Sequence, residues 1–185
     1  QLTADVRFFF GALYASSELE VARSVLPFPS PEVDPYRAIM PHFDVASARA
    51  RALAALSQGA ARVVVASAPA LLPRVATPAR LRQASGELIS GGLLSPTDLA
   101  DLLADAGFTP EDPVDQHGEC CVRGGVVDFF PAGVAYPVRA EFAGDRIESL
   151  RWYDPATQRS IAPLDRVAVF PLREAFEPAA GAAGD

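Results

Sequence analysis

Between Glu119 and Tyr153 apolar residues recur at every second position, the period of strands with one face in a core. The alternation predicts strands over Glu119–Arg123, Val126–Phe130, Pro137–Phe142 and Arg146–Tyr153, with Pro131-Ala132-Gly133 and Gly144-Asp145 as turns. Just upstream the period is helical. Ser95-Pro96-Thr97-Asp98 is a compact helix start, Leu99, Leu102, Leu103 and Ala106 share one face, and Gly107 closes the helix.

Nearer the N-terminus the elements mix. An apolar patch at Val6–Leu13 precedes a helix entry at Ser16-Ser17-Glu18-Leu19 and a short strand, Val25–Phe28. Asp44 is placed to cap a helix carrying Val45, Ala48, Ala52, Leu53 and Leu56 that ends near Gly59, and Arg62–Ser67 reads as a buried parallel strand. Repeated prolines in Pro27–Asp44 exclude regular structure and imply an ordered surface loop. The small, polar stretch Thr77–Gly92 marks a domain boundary, Arg166–Phe170 is a last apolar strand, and the closing EPAAGAAGD reads as a frayed tail. The fold class is α/β in two units: a partial domain over residues 1–79, a small module over residues 80–160, and a returning strand and tail over residues 161–185, with the strand packing back on the first unit.

Composition narrows the function. The 185 residues, half of them hydrophobic, suffice for one substantial core or two small ones. No apolar run approaches the ~20 residues that span a bilayer, and the N-terminus carries no basic, apolar leader, so a cytoplasmic chain is expected. A net charge of -7 works against a solitary nucleic-acid binder, which would need a basic surface to displace counterions. All 16 basic residues are arginine. Without lysine there is no Walker A cradle for ATP, no Schiff base and no Ser-Lys pair, so the expectation is a chain that is not an enzyme and binds no cofactor.

The segment GECCVRGGVVDFFPAG, Gly118–Gly133, offers three chemistries. A metal site would use His117, Cys120 and Cys121, but adjacent strand residues point to opposite faces and cannot readily share one ion; a buried Cys120 and a partly exposed Cys121 fit better. A phosphate cradle would need a glycine-rich turn entering a helix, whereas these glycines lead into Val126-Val127-Asp128-Phe129-Phe130 and read as a strand bulge. A partner surface fits the alternation: Arg123 shares a face with Cys121, and Arg139 with Glu141 and Ala143, while Val138, Ala140 and Phe142 turn inward. Two outward arginines on a sheet backed by the Leu99 helix suit carboxylates of a partner. The bland alternative is an arginine that is solvated or paired with Glu141.

The same residues carry a family resemblance. GECCVRGGVVDFFPAGVAYPVRAEFAGDRIESLRWYDPATQRS resembles the UvrB-homology region of bacterial transcription-repair coupling factors (Mfd), whose pattern runs G-E-[FY]-x-V-R-G-G, P-V-R-[IL]-[ED]-F-F-G-D and D-x-x-[TS]-Q-R. The upstream LPFPSPEVDPYRAIMPHFD and VVVASAPALLPRV resemble it more loosely. Excision-repair UvrB shares the module, but its R-x-R-G-D stands here as Cys121-Val122-Arg123-Gly124-Gly125, and the double glycine favours the coupling factors. The resemblance implies a degenerate helicase-like, P-loop-derived α/β domain without Walker A, bearing an inserted UvrB-interaction module that binds UvrA in nucleotide excision repair. It places UvrA contacts on Arg123, Arg139 and the position of Ala143, where the family has an aromatic. RNA polymerase and DNA would be engaged only through other domains of the family. The alternative is a DNA-binding accessory fragment related to UvrB.

Overall fold

The computed structural model describes residues 1–31, 43–172 and 174. The apolar patch Val6–Leu13 lies within helix α1 (Leu2–Tyr14). Ser17 and Glu20 then form a reciprocal capping box that starts α2 (Glu18–Ser24), from which the chain passes directly into β1 (Val25–Phe28). Most of the proline-rich loop and the whole closing tail lie outside the described residues. Helix α3 (Phe43–Ser57) starts two residues earlier than expected, so Asp44 lies in its first turn rather than at the cap; a carboxylate there still favours the helix N-terminus.

Strand β2 (Val63–Ala66) pairs with β1 in parallel, Val25 opposite Val63 and Phe28 opposite Ala66. Helices α1 and α2 pack Phe10 and Val21 on the Val25 face, while α3 packs Ala52 and Leu53 on the Leu26 and Phe28 face. The parallel pairing matches the sequence reading, but the burial does not: no residue of β2 is fully buried. Its sheet has two strands among the described residues, and one edge of β2 has no neighbour there.

The polar stretch 77–92 holds regular structure. Thr77 caps the short α4 (Pro78–Gln83), and β3 (Gly86–Ile89) follows. Helix α5 (Pro96–Ala106) has the expected signals at both ends. The Ser95 hydroxyl accepts from the Asp98 amide at 3.0 Å and donates to the Asp98 carboxylate at 2.8 Å, and Gly107 takes the left-handed conformation at φ 93°.

Beyond it six strands lie side by side in chain order: β4 (Thr109–Pro110), β5 (Glu119–Arg123), β6 (Val126–Phe129), β7 (Val138–Ala143), β8 (Arg146–Tyr153) and β9 (Ser160–Leu164). Only β4 and β5 run parallel; every other pair is antiparallel. Val127, Phe129, Val138, Ala140, Ile147 and Leu150 line one face, against Leu99, Leu103 and Ala106 of α5. Strands β4 and β9 carry no clear alternation and escape the sequence reading.

Two expectations change. Gly124-Gly125 is not a bulge but the two-residue turn of the β5–β6 hairpin, since Arg123 stands directly opposite Val126 and Gly124 takes φ 60°. Register shifts fall instead between Glu141 and Phe142 in β7 and between Trp152 and Tyr153 in β8. The last strand, β10 (Arg166–Val169), does not pack on the first unit. It pairs antiparallel with β3 and sends Val167 and Val169 into the core beneath α5, where the larger apolar surface is available. Further on, Glu174 meets the first unit, its carboxylate on Arg49 and its carbonyl accepting from the Ala76 amide. No helix among the described residues is long and apolar enough to cross a membrane.

Candidate partner-binding face

The face of the sheet away from α5 is organised by Asp128. Alternation in β6 commits Val127 and Phe129 to the core, so Asp128 must point the other way. Cross-strand register sets Arg139 directly opposite it, and the tight hairpin brings Arg123 to its diagonal. Arg139 grips the carboxylate with two bonds, Nε to Oδ1 at 2.7 Å and Nη2 to Oδ2 at 2.8 Å. Arg123 Nη2 donates to the same Oδ2 at 2.5 Å. Asp128 is completely buried, whereas the Arg139 and Arg123 side chains remain 20% and 43% exposed.

The arginines differ in how they are held. Arg139 lies over the ring of buried Tyr153, its guanidinium carbon 4.7 Å from the ring centre, and its Nη groups approach the Gln158 carbonyl and side-chain oxygens at 3.5 and 3.4 Å. The Tyr153 hydroxyl donates to the Val114 carbonyl at 3.1 Å, so the loop after β4 roofs this end of the face. Burial raises the Tyr153 pKa beyond its ordinary range. Arg123 has no such roof. Its Nη1 donates to Asp112 Oδ1 at 2.9 Å, on the exposed side of the guanidinium.

The hydrogen bond to Asp128 raises the Arg139 pKa above its ordinary value. For Arg123, burial opposes the charge, but the Asp128 bond and the charges of Asp128 and Asp112 outweigh it, and the pKa again rises. Both groups are cations at any working pH. With Val126, Glu141 and Gln158 they line an open depression of about 420 Å³.

Glu141 does not pair with Arg123 or Arg139. It accepts from Ser149 Oγ at 2.6 Å and stands 3.9 Å from Arg151 Nε. Phe142 packs against the core, and Ala143, beyond the register shift, is exposed near the hairpin tip. Arg123, Arg139 and Ala143 therefore stand on the exposed side of one hairpin system, the first two joined through a residue that the sequence reading left among the apolar strand positions. The readable signal was the turn itself. A two-residue loop at Gly124-Gly125 fixes Cys121 opposite Asp128, and with that the carboxylate beside Arg123.

The metal reading finds no geometry. Cys120 is buried and Cys121 half-buried, as the alternation requires. Burial raises both thiol pKa values, with Asp112 adding to the effect at Cys121, which keeps both sulfurs protonated. His117 bonds to the Val134 carbonyl at 2.9 Å and stacks on Phe130. No group of three or more His, Cys, Asp or Glu among the described residues could hold an ion.

Residues 87–174 match the family described as the UvrB interaction domain. The chain is 31% identical over 173 residues to the transcription-repair-coupling factor of Haemophilus influenzae, covering 94% of this chain and 15% of that protein. Against the factor of Myxococcus xanthus it is 34% identical over 174 residues, with 94% and 14% covered. It is also 30% identical over 116 residues to the UvrABC system protein B of Gloeothece citriformis, covering 63% of this chain and 17% of that one. The chain thus spans about a seventh of the length of the coupling factors it matches.

Proposed function

Since residues 87–174 of this chain belong to the UvrB interaction domain family and nearly its whole length is related to transcription-repair-coupling factors, we propose that it is a noncatalytic docking module of nucleotide excision repair whose partner is UvrA. The observation that carries this reading is the arrangement of Arg123 and Arg139, two partly exposed cations fixed by one buried carboxylate beside an open depression. Both retain N–H groups for acceptors on a partner, and the loss of rotamer freedom that binding would impose on them is already largely incurred in folding. We read residues 1–79 as part of a degenerate helicase-like α/β domain, a reading supported by the parallel β1–β2 pair with helices on both faces.

Arg123→Ala is the cleaner test, because Asp128 keeps both bonds to Arg139. The variant should fold like the parent and bind UvrA at least about tenfold more weakly in a calorimetric titration. Arg139→Ala should weaken binding too, with a loss of stability that a parallel melt would record. Unchanged affinity in both variants rejects this face.

Ala143 gives a gain-of-function arm. The family aromatic at this position is missing, and an exposed methyl supplies little contact area. Ala143→Phe should tighten UvrA binding by about tenfold, and no change would remove the position from the interface.

A further inference from the structure

The two carboxylates on Arg123 play different parts. Asp128 is completely buried and shared with Arg139, so the fold depends on it. Asp112 is 55% exposed, lies on the loop after β4, and meets Arg123 through one bond. An exposed ion pair of this kind contributes little to stability and exchanges readily with water. Removing it strands no buried charge, because Arg123 Nη2 stays on Asp128. The guanidinium is therefore forked between a permanent partner inside and a replaceable one outside, and the outer Nη is the one that an approaching protein meets first.

We propose that Asp112 is a placeholder: in the free chain it occupies the Arg123 Nη1 site that a carboxylate side chain of the partner takes in the complex, and it is displaced on docking. The inference rests on the reading of this face as the UvrA surface. It specifies the partner group as an Asp or Glu side chain, since the site already accepts a carboxylate oxygen at 2.9 Å. It also makes Asp112 a determinant of affinity, because a site filled from within must be vacated first, and the apparent affinity falls in proportion.

Titration of UvrA with the chain and its variants tests this. Asp112→Asn should bind about two- to fivefold tighter than the parent. Asp115→Asn removes the same charge from an exposed position on the same loop and should change the affinity by less than about 1.5-fold, which separates local competition from general electrostatics. In an Arg123→Ala background the gain from Asp112→Asn should vanish. If Asp112→Asn binds no tighter, or Asp115→Asn gives the same gain, the placeholder is overturned while the docking face stands on the Arg123→Ala loss. If Arg123→Ala itself leaves the affinity unchanged, the face is wrong and the placeholder falls with it.

Discussion

Replacing Asp128 with alanine should destabilise the chain by about 3 kcal/mol, seen as a melting temperature lower by about 6–12 °C. The cost comes from what is left behind. Arg139 is four-fifths buried against Tyr153 and would lose its bidentate acceptor, and Arg123 would lose its inner one. Both guanidinium groups reach some water, which places the cost at the low end of values for broken buried pairs. Adding Arg139→Met to Asp128→Leu should recover part of the loss, because it removes the more buried of the two cations left without their carboxylate, while Arg123 keeps Asp112. Equal melting of parent and Asp128→Ala would show that the carboxylate does not organise the face.

Arg49→Ala should cost about 3–5 kcal/mol, measured by urea unfolding. This side chain in α3 is wholly buried. Its Nη1 donates to the Pro29 carbonyl at 2.7 Å and the Ala70 carbonyl at 3.2 Å, its Nε and Nη2 hold the Glu174 carboxylate, and its guanidinium stacks 3.9 Å above Phe28. One residue thus ties β1, the turn after β2 and the segment returning from β10. Arg49→Lys should restore less than half of the loss, since a point charge cannot serve two carbonyls and a carboxylate in one plane. A midpoint unchanged in Arg49→Ala would mean that the return segment is held by other contacts.

Much of the module was legible because its signals are local. The Ser95 cap, the Leu99–Leu103–Ala106 stripe and the alternation of β7 each lie within one element and appear as read, whereas in β8 the buried residues are Ile147, Leu150 and Tyr153, three apart rather than alternating. What escaped depends on which strands meet. Nothing in Arg166–Phe170 says that its neighbour is Gly86–Ile89, eighty residues earlier, rather than the first unit. β4 is two residues long and β9 contains a proline, so neither shows a period. The centre of the candidate site was missed for a subtler reason. Reading Gly124-Gly125 as a bulge leaves the register of β5 and β6 open, and with no register Asp128 is only one polar residue in an apolar run. Read as a turn, the same glycines place it between two arginines.

The pairing of β3 with β10 has a consequence for how such a module travels between proteins. The polypeptide enters on one strand of a ribbon and departs on its neighbour, so the two ends of residues 86–169 are separated by a single interstrand gap of about 5 Å. A host needs to open only one surface loop to receive the whole body, and its own backbone is scarcely displaced. A cassette with doorposts this close can be carried by a transcription-repair-coupling factor and by a UvrABC system protein B without redesign of either host.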